Sequence, residues 1–280
     1  MALGDERRIR RQSAATRRQF LQGATAMTVG VGVALAGRIT PTAALDDVRL
    51  LDDVRLDVAG ACEASADYIL NLAYAVEHCA MALYYTALTS PALLRSPLLA
   101  GSSGNLEDVG VDGSAQNCAN LQAALDQEQK HARILAGLGA TSPYTRFYFP
   151  AITFQHMGYI SLPGTFLWAL DHLETAAIAG YLTAVKQLGL QGRPDLAAMC
   201  VRNLAVECEH RALYRVIARD DPANNVTVPA TEFPCLADAA TFFAPYATGQ
   251  GFPAEAGPVQ AYDIPEPTRV GQVVGPYRSS

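Results

Sequence analysis

The segment Glu128-Gln129-Lys130-His131 places a carboxylate and an imidazole three residues apart inside a long apolar stretch with helical periodicity. The same spacing returns later in the chain as Glu207-Cys208-Glu209-His210. On an α-helix, residues three positions apart lie on one face, so each pair can converge on a single point. The two pairs therefore predict two helices that turn acidic and imidazole side chains towards a common interior.

A single glutamate precedes each pair on a separate apolar stretch. Glu77 shares a helical face with Met81, and Glu174 shares one with Ile178. Glutamate is almost never fully buried without a partner, so its position on an inner face needs an explanation. Helical bundles hold two metal ions with one Glu from each of two helices and a Glu-x-x-His pair from each of the other two. The candidate metal ligands are Glu77, Glu128, His131, Glu174, Glu207 and His210.

The types of these side chains suit divalent metal ions. A carboxylate can chelate one ion or bridge two, and imidazole supplies a neutral nitrogen. Glu128 and Glu207 are the natural bridging ligands. Glu77 and Glu174 are then terminal, and each metal takes one histidine. These donors do not choose between two iron ions and two manganese ions by affinity alone. The competing interpretation, four solvated or salt-bridged patches, requires six ionisable groups to fall by accident on otherwise apolar faces.

Helical periodicity and the residues at its boundaries predict an all-α fold. The predicted helices cover residues 63–88, 115–138, 165–187 and 194–218. Thr165 is placed to cap the third helix, and Pro194 suits the first turn of the fourth. An aromatic stretch over residues 144–159 joins the second and third helices as a long crossover and is a candidate wall for an access channel. These elements predict a four-helix bundle over residues 63–221.

Residues 1–44 have the pattern of an export signal. A cluster of arginines precedes an apolar run of small residues over 24–36, and Thr42-Ala43-Ala44 offers a cleavage site. Within this segment, Thr16-Arg17-Arg18-Gln19-Phe20-Leu21 resembles the twin-arginine motif of bacterial precursors that are exported already folded. We therefore expect a periplasmic or extracellular protein, with the signal either cleaved or kept as an anchor. The alternative is a basic N-terminal tail.

The charge balance narrows the range of partners. Without residues 1–44 the chain holds 14 basic and 25 acidic residues, a formal charge of −11. Nucleic-acid binding rests on cationic neutralisation of phosphates, so this balance predicts no nucleic-acid partner and favours cations. No apolar run reaches the roughly 18 residues of an ordinary membrane-spanning helix.

The cysteines do not form a metal-binding pattern. No C-x-x-C spacing is present, and the pairing of the six thiols stays open. Packing, or one incidental disulfide, is favoured over a thiolate metal site. The six positions are Cys62, Cys79, Cys118, Cys200, Cys208 and Cys235.

Two segments flank the predicted bundle. Residues 45–62 form a spacer in which the sequence LDDVRL occurs twice in tandem, at 45–50 and 51–56. Residues 222–280 hold nine of the 16 prolines, which predicts a mostly irregular tail with at most a short helix around 236–243. This tail would either wrap the bundle or join copies of the chain in a homo-oligomer.

The ligand order resembles that of the ferritin-like superfamily of di-iron carboxylate proteins, over about residues 63–218. More narrowly, the chain resembles the bacterial exported ferritin-like domain proteins, a branch that includes desiccation-related proteins. The resemblance implies a ferritin-like four-helix bundle and a di-iron oxidoreductase. Such a protein would react with dioxygen or hydrogen peroxide, as a ferroxidase or peroxide scavenger in stress protection. The alternatives are a dimanganese catalase and a non-catalytic protective or structural protein.

Several polar residues fall near the candidate ligands on the same helices. Core packing is the favoured role of the tyrosines, and hydrogen bonding to the metal site or carrying an oxidising equivalent is the alternative. These tyrosines are Tyr74, Tyr84, Tyr181 and Tyr214. Hydrogen-bond partners for the histidines are expected in any such site. Spacing alone nominates Gln127, Asp171 and Asn203.

Overall fold

The structure is a computed structural model that describes residues 54–56, 62–100, 110–220, 222–224 and 230–274. The predicted export signal lies outside these residues, as does most of the tandem repeat. The end of the repeat forms strand β1 (Val54–Leu56), which pairs antiparallel with β2 (Cys62–Ala64). In the part of the chain that is described, no helix is both long and apolar enough to cross a membrane.

Four long helices dominate the described residues. They are α1 (Ala66–Thr89), α3 (Ser114–Gly137), α4 (Phe166–Leu190) and α5 (Pro194–Ile217), with the short α2 (Pro91–Leu94) after α1. Every boundary lies within three residues of its predicted position. The prediction of a mostly helical, ferritin-like bundle is therefore confirmed.

The helix starts follow from local chemistry. Ser65 caps α1, where its Oγ accepts a hydrogen bond of 3.1 Å from the backbone N–H of Tyr68. Pro194 occupies the first turn of α5, where a missing N–H costs nothing. Thr165 does precede α4, but its hydroxyl donates to the carbonyl of Leu162 at 2.8 Å and makes no cap bond. The predicted position of Thr165 is right and its predicted capping bond is wrong.

The bundle core is formed by the inner faces of these helices. Helix α1 packs mainly on α3 and α4 mainly on α5, and the two pairs meet through α1 with α4 and α3 with α5. Tyr68, Leu125 and Phe166 are among the fully buried side chains. Each large apolar side chain contributes roughly 1.5–3 kcal/mol when buried. The six candidate ligands lie in this same interior, each 6 % exposed or less.

The crossover and the tail form a small sheet. After α3 the chain runs through β3 (Arg146–Pro150) and a 3-10 helix (Ala151–Phe154) before α4 begins. Strand β3 pairs antiparallel with β4 (Val259–Asp263), which comes from the tail. The tail also supplies α6 (Leu236–Thr248) and α7 (Pro267–Val274), so it is more regular than its proline content predicted.

Aromatic packing explains why the tail is ordered. The ring of Phe149 on β3 is fully buried and lies 5.5 Å from those of Phe154 and Tyr246 and 6.0 Å from that of Tyr262. Because Tyr246 is part of this cluster, α6 continues past its predicted end and stops at Gly249, whose φ of +75° favours glycine. The tail therefore wraps the bundle and covers the crossover.

Polar contacts attach the rest of the tail. On α3, the side-chain amide of Gln122 donates to the backbone carbonyl of Val273 in α7 at 2.9 Å. Just before α6, Cys235 is disulfide-bonded. Among the described residues, four cysteines are not disulfide-bonded, namely Cys79, Cys118, Cys200 and Cys208. Three of these four are buried, as expected for thiols with a packing role.

Replacing Phe149 by alanine tests the packing of the tail. Phe149→Ala is expected to lower the free energy of unfolding by about 3–5 kcal/mol, because it removes a buried ring and leaves a cavity. Urea unfolding measures this loss. Ile152→Ala is the control, since Ile152 is 40 % exposed in the next turn, and it should cost less than about 1 kcal/mol. Equal losses for the two variants would contradict the packing described here.

Candidate metal centre

All six predicted side chains meet at the middle of the bundle. Among the described residues they fall into two overlapping groups, and within each group the potential ligand atoms lie within 4.8 Å of one another. One group is Glu77, Glu128, His131 and Glu207, and the other is Glu128, Glu174, Glu207 and His210. Glu128 and Glu207 belong to both groups. This is the arrangement expected of two bridging carboxylates.

The imidazole of His131 turns its Nδ1 atom towards three carboxylates. That nitrogen lies 3.2 Å from Oε1 of Glu207 and 3.4 Å from Oε2 of Glu77. The third distance, to Oε2 of Glu128, is 3.6 Å. His131 and Glu128 are one helical turn apart on α3, so the helix itself brings them to the same point.

His210 occupies the equivalent position in the second group. Its Nδ1 lies 3.0 Å from Oε1 of Glu128, 3.1 Å from Oε2 of Glu207 and 3.7 Å from Oε1 of Glu174. Its Nε2 donates to Oε1 of Gln127 at 2.9 Å. Because an amide oxygen only accepts, Nε2 carries a proton and Nδ1 is the atom that would meet a metal ion. Gln127 is therefore the predicted hydrogen-bond partner of this histidine.

The cluster contains buried polar atoms that no other group satisfies. Both carboxylate oxygens of Glu128, Oε1 of Glu207 and Nδ1 of His131 are buried and have no hydrogen-bond partner. Within the described residues, the ion pairs of the four glutamates are with histidines alone, and no Lys or Arg pairs with them. An unpaired buried charge costs several kcal/mol. The donor set therefore fits two divalent cations, whose charge would balance four carboxylates.

The burial of these carboxylates close to one another also shifts their pKa values. Burial raises the pKa of Glu128 well above its ordinary range, and the nearby Glu207 carboxylate raises it further. Burial also raises the pKa of Glu174, to about 7. Although burial alone would raise the pKa of Glu207 too, the neighbouring imidazoles of His131 and His210 lower it to about 2. Without cations, Glu128 and Glu174 therefore hold a proton more readily than exposed glutamates do.

Two tyrosines hold the terminal glutamates. Tyr181 on α4 donates a hydrogen bond to Oε1 of Glu77 on α1. In the reverse direction, Tyr84 on α1 donates to Oε1 of Glu174 on α4 at 2.5 Å. Burial raises the pKa of both hydroxyls well above the ordinary value, so both keep the proton that they donate. This crosswise pairing requires α1 and α4 to run antiparallel.

For Tyr84 and Tyr181, the alternative role given by the sequence analysis, hydrogen bonding to the site, is the one observed. Tyr84 and Tyr181 each follow the glutamate of their own helix by seven residues, which is two helical turns. Core packing was the favoured role of the tyrosines, and the hydrogen bonds to the glutamates go beyond it. Tyr74 does pack as predicted, with its ring 4.1 Å from that of His78.

Two of the nominated histidine partners contact tyrosines instead. Asn203 donates from Nδ2 to the hydroxyl of Tyr181 at 3.0 Å. Asp171 accepts a hydrogen bond from the hydroxyl of Tyr214. Their predicted role as direct partners of the histidines is therefore wrong. Asn203 contacts no candidate ligand directly; it positions Tyr181, which in turn holds Glu77.

Comparison with known proteins agrees with this geometry. Comparisons with curated proteins and with solved structures found no match. A family model described as a ferritin-like domain matches residues 66–219, which is more than half of the chain and includes all six candidate ligands. The chain belongs to the ferritin-like domain family.

Proposed function

We propose that this protein binds two iron ions between its four long helices and that the loaded centre reacts with dioxygen or hydrogen peroxide. The observation that carries the proposal is the pair of shared glutamates. Glu128 and Glu207 each belong to both ligand groups, and three of their four buried oxygens have no hydrogen-bond partner. Two divalent ions would add positive charge to an interior in which, among the described residues, only His131 and His210 pair with these carboxylates.

Each ligand has a role in this proposal. Glu128 and Glu207 would be shared by the two ions. Glu77 and His131 would complete one site, and Glu174 on α4 and His210 on α5 would complete the other. The four carboxylates balance the formal charge of two divalent ions. When bound, iron would supply electrons to the oxidant.

The surrounding residues fix the ligands before any metal arrives. Tyr84 and Tyr181 hold a proton at the terminal carboxylates and so restrict their rotation. Gln127 fixes the ring of His210. The burial of the cluster excludes bulk water, which strengthens every electrostatic interaction inside it. These contacts support a preformed site, and a preformed site loses less conformational entropy on binding.

We also propose that the protein is exported through the twin-arginine route and serves in stress protection outside the cytoplasm. The support is the arginine pair Arg17-Arg18 within the signal pattern of residues 1–44. Export in the folded state allows the metal to be loaded in the cytoplasm, before the chain leaves. Within the family, we propose that the chain belongs to the branch that includes desiccation-related proteins.

Metal analysis is the direct test of the proposal. Protein recovered from its exported compartment is expected to contain about two iron ions per chain, since the bundle offers two complete ligand groups. Elemental analysis by mass spectrometry gives this ratio. About two manganese ions would favour a dimanganese catalase. A well-folded chain without metal would favour the non-catalytic protective or structural protein.

Replacing one bridging glutamate should have opposite effects with and without metal. Glu128→Gln is expected to lower the metal content from about two ions to one or fewer, because it removes a shared ligand. In the metal-free protein, the same change should raise the free energy of unfolding by about 1–3 kcal/mol, because a buried carboxyl is replaced by a neutral amide. Metal analysis and urea unfolding measure the two effects.

Glu209→Gln is the matched control for this variant. Glu209 is exposed on α5 and lies between the predicted ligands Glu207 and His210, on a different face of the helix. Its replacement should leave both the metal content and the stability unchanged. If Glu128→Gln instead destabilised the metal-free protein, the electrostatic account of the cluster would be wrong.

The tyrosine hydrogen bonds can be tested one at a time. Tyr84→Phe and Tyr181→Phe should each weaken metal binding by roughly 10- to 100-fold, because the terminal carboxylate loses the group that orients it. Competition with a chelator measures the affinity. Tyr85→Phe removes a hydroxyl from the next position on α1 and should have no effect. Unchanged affinity in both site variants would show that these bonds do not support the centre.

A further inference from the structure

An apolar pocket lies between α1, α4 and the tail helix α6. Its walls include Val76 from α1, Gly180 and Tyr181 from α4, and Ala239 and Phe243 from α6. The pocket volume is about 40 Å³. A single water molecule needs roughly 10–15 Å³, whereas a cavity that binds benzene measures about 150 Å³. The pocket therefore has room for a diatomic molecule and is well below the volume of a cavity that binds benzene.

The pocket and the candidate metal centre share a wall. Tyr181 lines the pocket, and its hydroxyl donates to the Glu77 carboxylate. Val76, also a lining residue, directly precedes Glu77 in the chain. At another side, the lining residue Phe242 is 37 % exposed, so the pocket reaches the surface. A molecule in this space has solvent on one side and a metal-ligand partner on the other.

Small residues keep this space open. A Cβ atom added at Gly180 would meet no other heavy atom within 4 Å. No close contact therefore requires glycine here, although glycine in a helix interior costs about 1 kcal/mol relative to alanine. Ala177 and Ala184 line the same side of the pocket one turn away in each direction. A larger side chain at position 180 would occupy the pocket.

We propose that this pocket holds dioxygen next to the metal centre and is its route from solvent. The inference rests on the proposed function and names dioxygen as the oxidant that uses the pocket. Dioxygen is apolar and loses no hydrogen bonds on entering an apolar space. Hydrogen peroxide would have to give up its bonds to water, at a cost of about 1–3 kcal/mol for each unmet group. The one polar side chain in the lining, Tyr181, already donates to Glu77.

Two variants fill the pocket from opposite walls. Gly180→Leu adds a side chain from α4. Ala239→Leu adds one from α6 and leaves α4, which carries Glu174, untouched. Gly189→Leu is the matched control, because Gly189 is an exposed residue of α4 whose added Cβ would also meet nothing within 4 Å.

Xenon binding gives a readout that needs no metal. Xenon occupies dry apolar cavities, so NMR of the metal-free protein in xenon-saturated buffer should show shifts at the pocket residues. These shifts should be lost in Gly180→Leu and Ala239→Leu and kept in Gly189→Leu. Absence of xenon binding in the unchanged protein would overturn the inference.

Single-turnover oxidation of the ferrous-loaded protein tests the role in the reaction. Both filling variants should slow oxidation by dioxygen by about tenfold or more and change oxidation by hydrogen peroxide less than about twofold. An unchanged rate with dioxygen would overturn the inference alone. An equal loss with both oxidants would overturn it as well, since the pocket would then have no preference. If the unchanged, ferrous-loaded protein reacted with neither oxidant, the proposed function itself would fail.

Discussion

Mutual repulsion among four buried carboxylates is the constraint on which the rest of this molecule depends. Like charges a few ångströms apart in a low-dielectric interior destabilise the folded chain unless protons or cations join them. Here the apolar surface of four long helices encloses the charges, and Glu128 is left with no hydrogen-bond partner. The same packing that stabilises the bundle thus encloses a carboxylate cluster that favours positive charge. The carboxylates that lower the stability of the metal-free chain are therefore the same groups that would bind the cations.

The centre is built from two copies of one structural unit. In each copy, the first helix carries a glutamate followed after seven residues by a tyrosine, and the second carries Glu-x-x-His. The tyrosine of one unit bonds the glutamate of the other, as Tyr84 does with Glu174. Neither unit can therefore position its own terminal carboxylate alone. Pairing of the two helical hairpins and assembly of the ligand set are a single event.

The parts of the fold that the sequence predicts are those encoded by local pattern. Helix bounds and inner stripes follow from periodicity, so Glu77, Glu174 and the two Glu-x-x-His pairs could be placed in one interior before their geometry was seen. The partners of Asp171 and Asn203 depend on how far neighbouring helices are rotated, which spacing along one helix does not report. The regular structure of the tail exceeds the prediction for a related reason. Its order comes from contacts of Phe149 with aromatic residues far along the chain, which no local window contains.

The pairing of β3 with β4 has a consequence for the order of folding. The two strands are far apart in sequence, and β4 emerges from the ribosome only after all four long helices. Closing such a long loop is entropically costly, so this sheet should form late. Until then the crossover exposes the ring of Phe149 and its neighbours. A nascent chain whose four long helices had already packed would therefore still expose apolar surface until its last strand pairs, and it would be prone to aggregate during that interval.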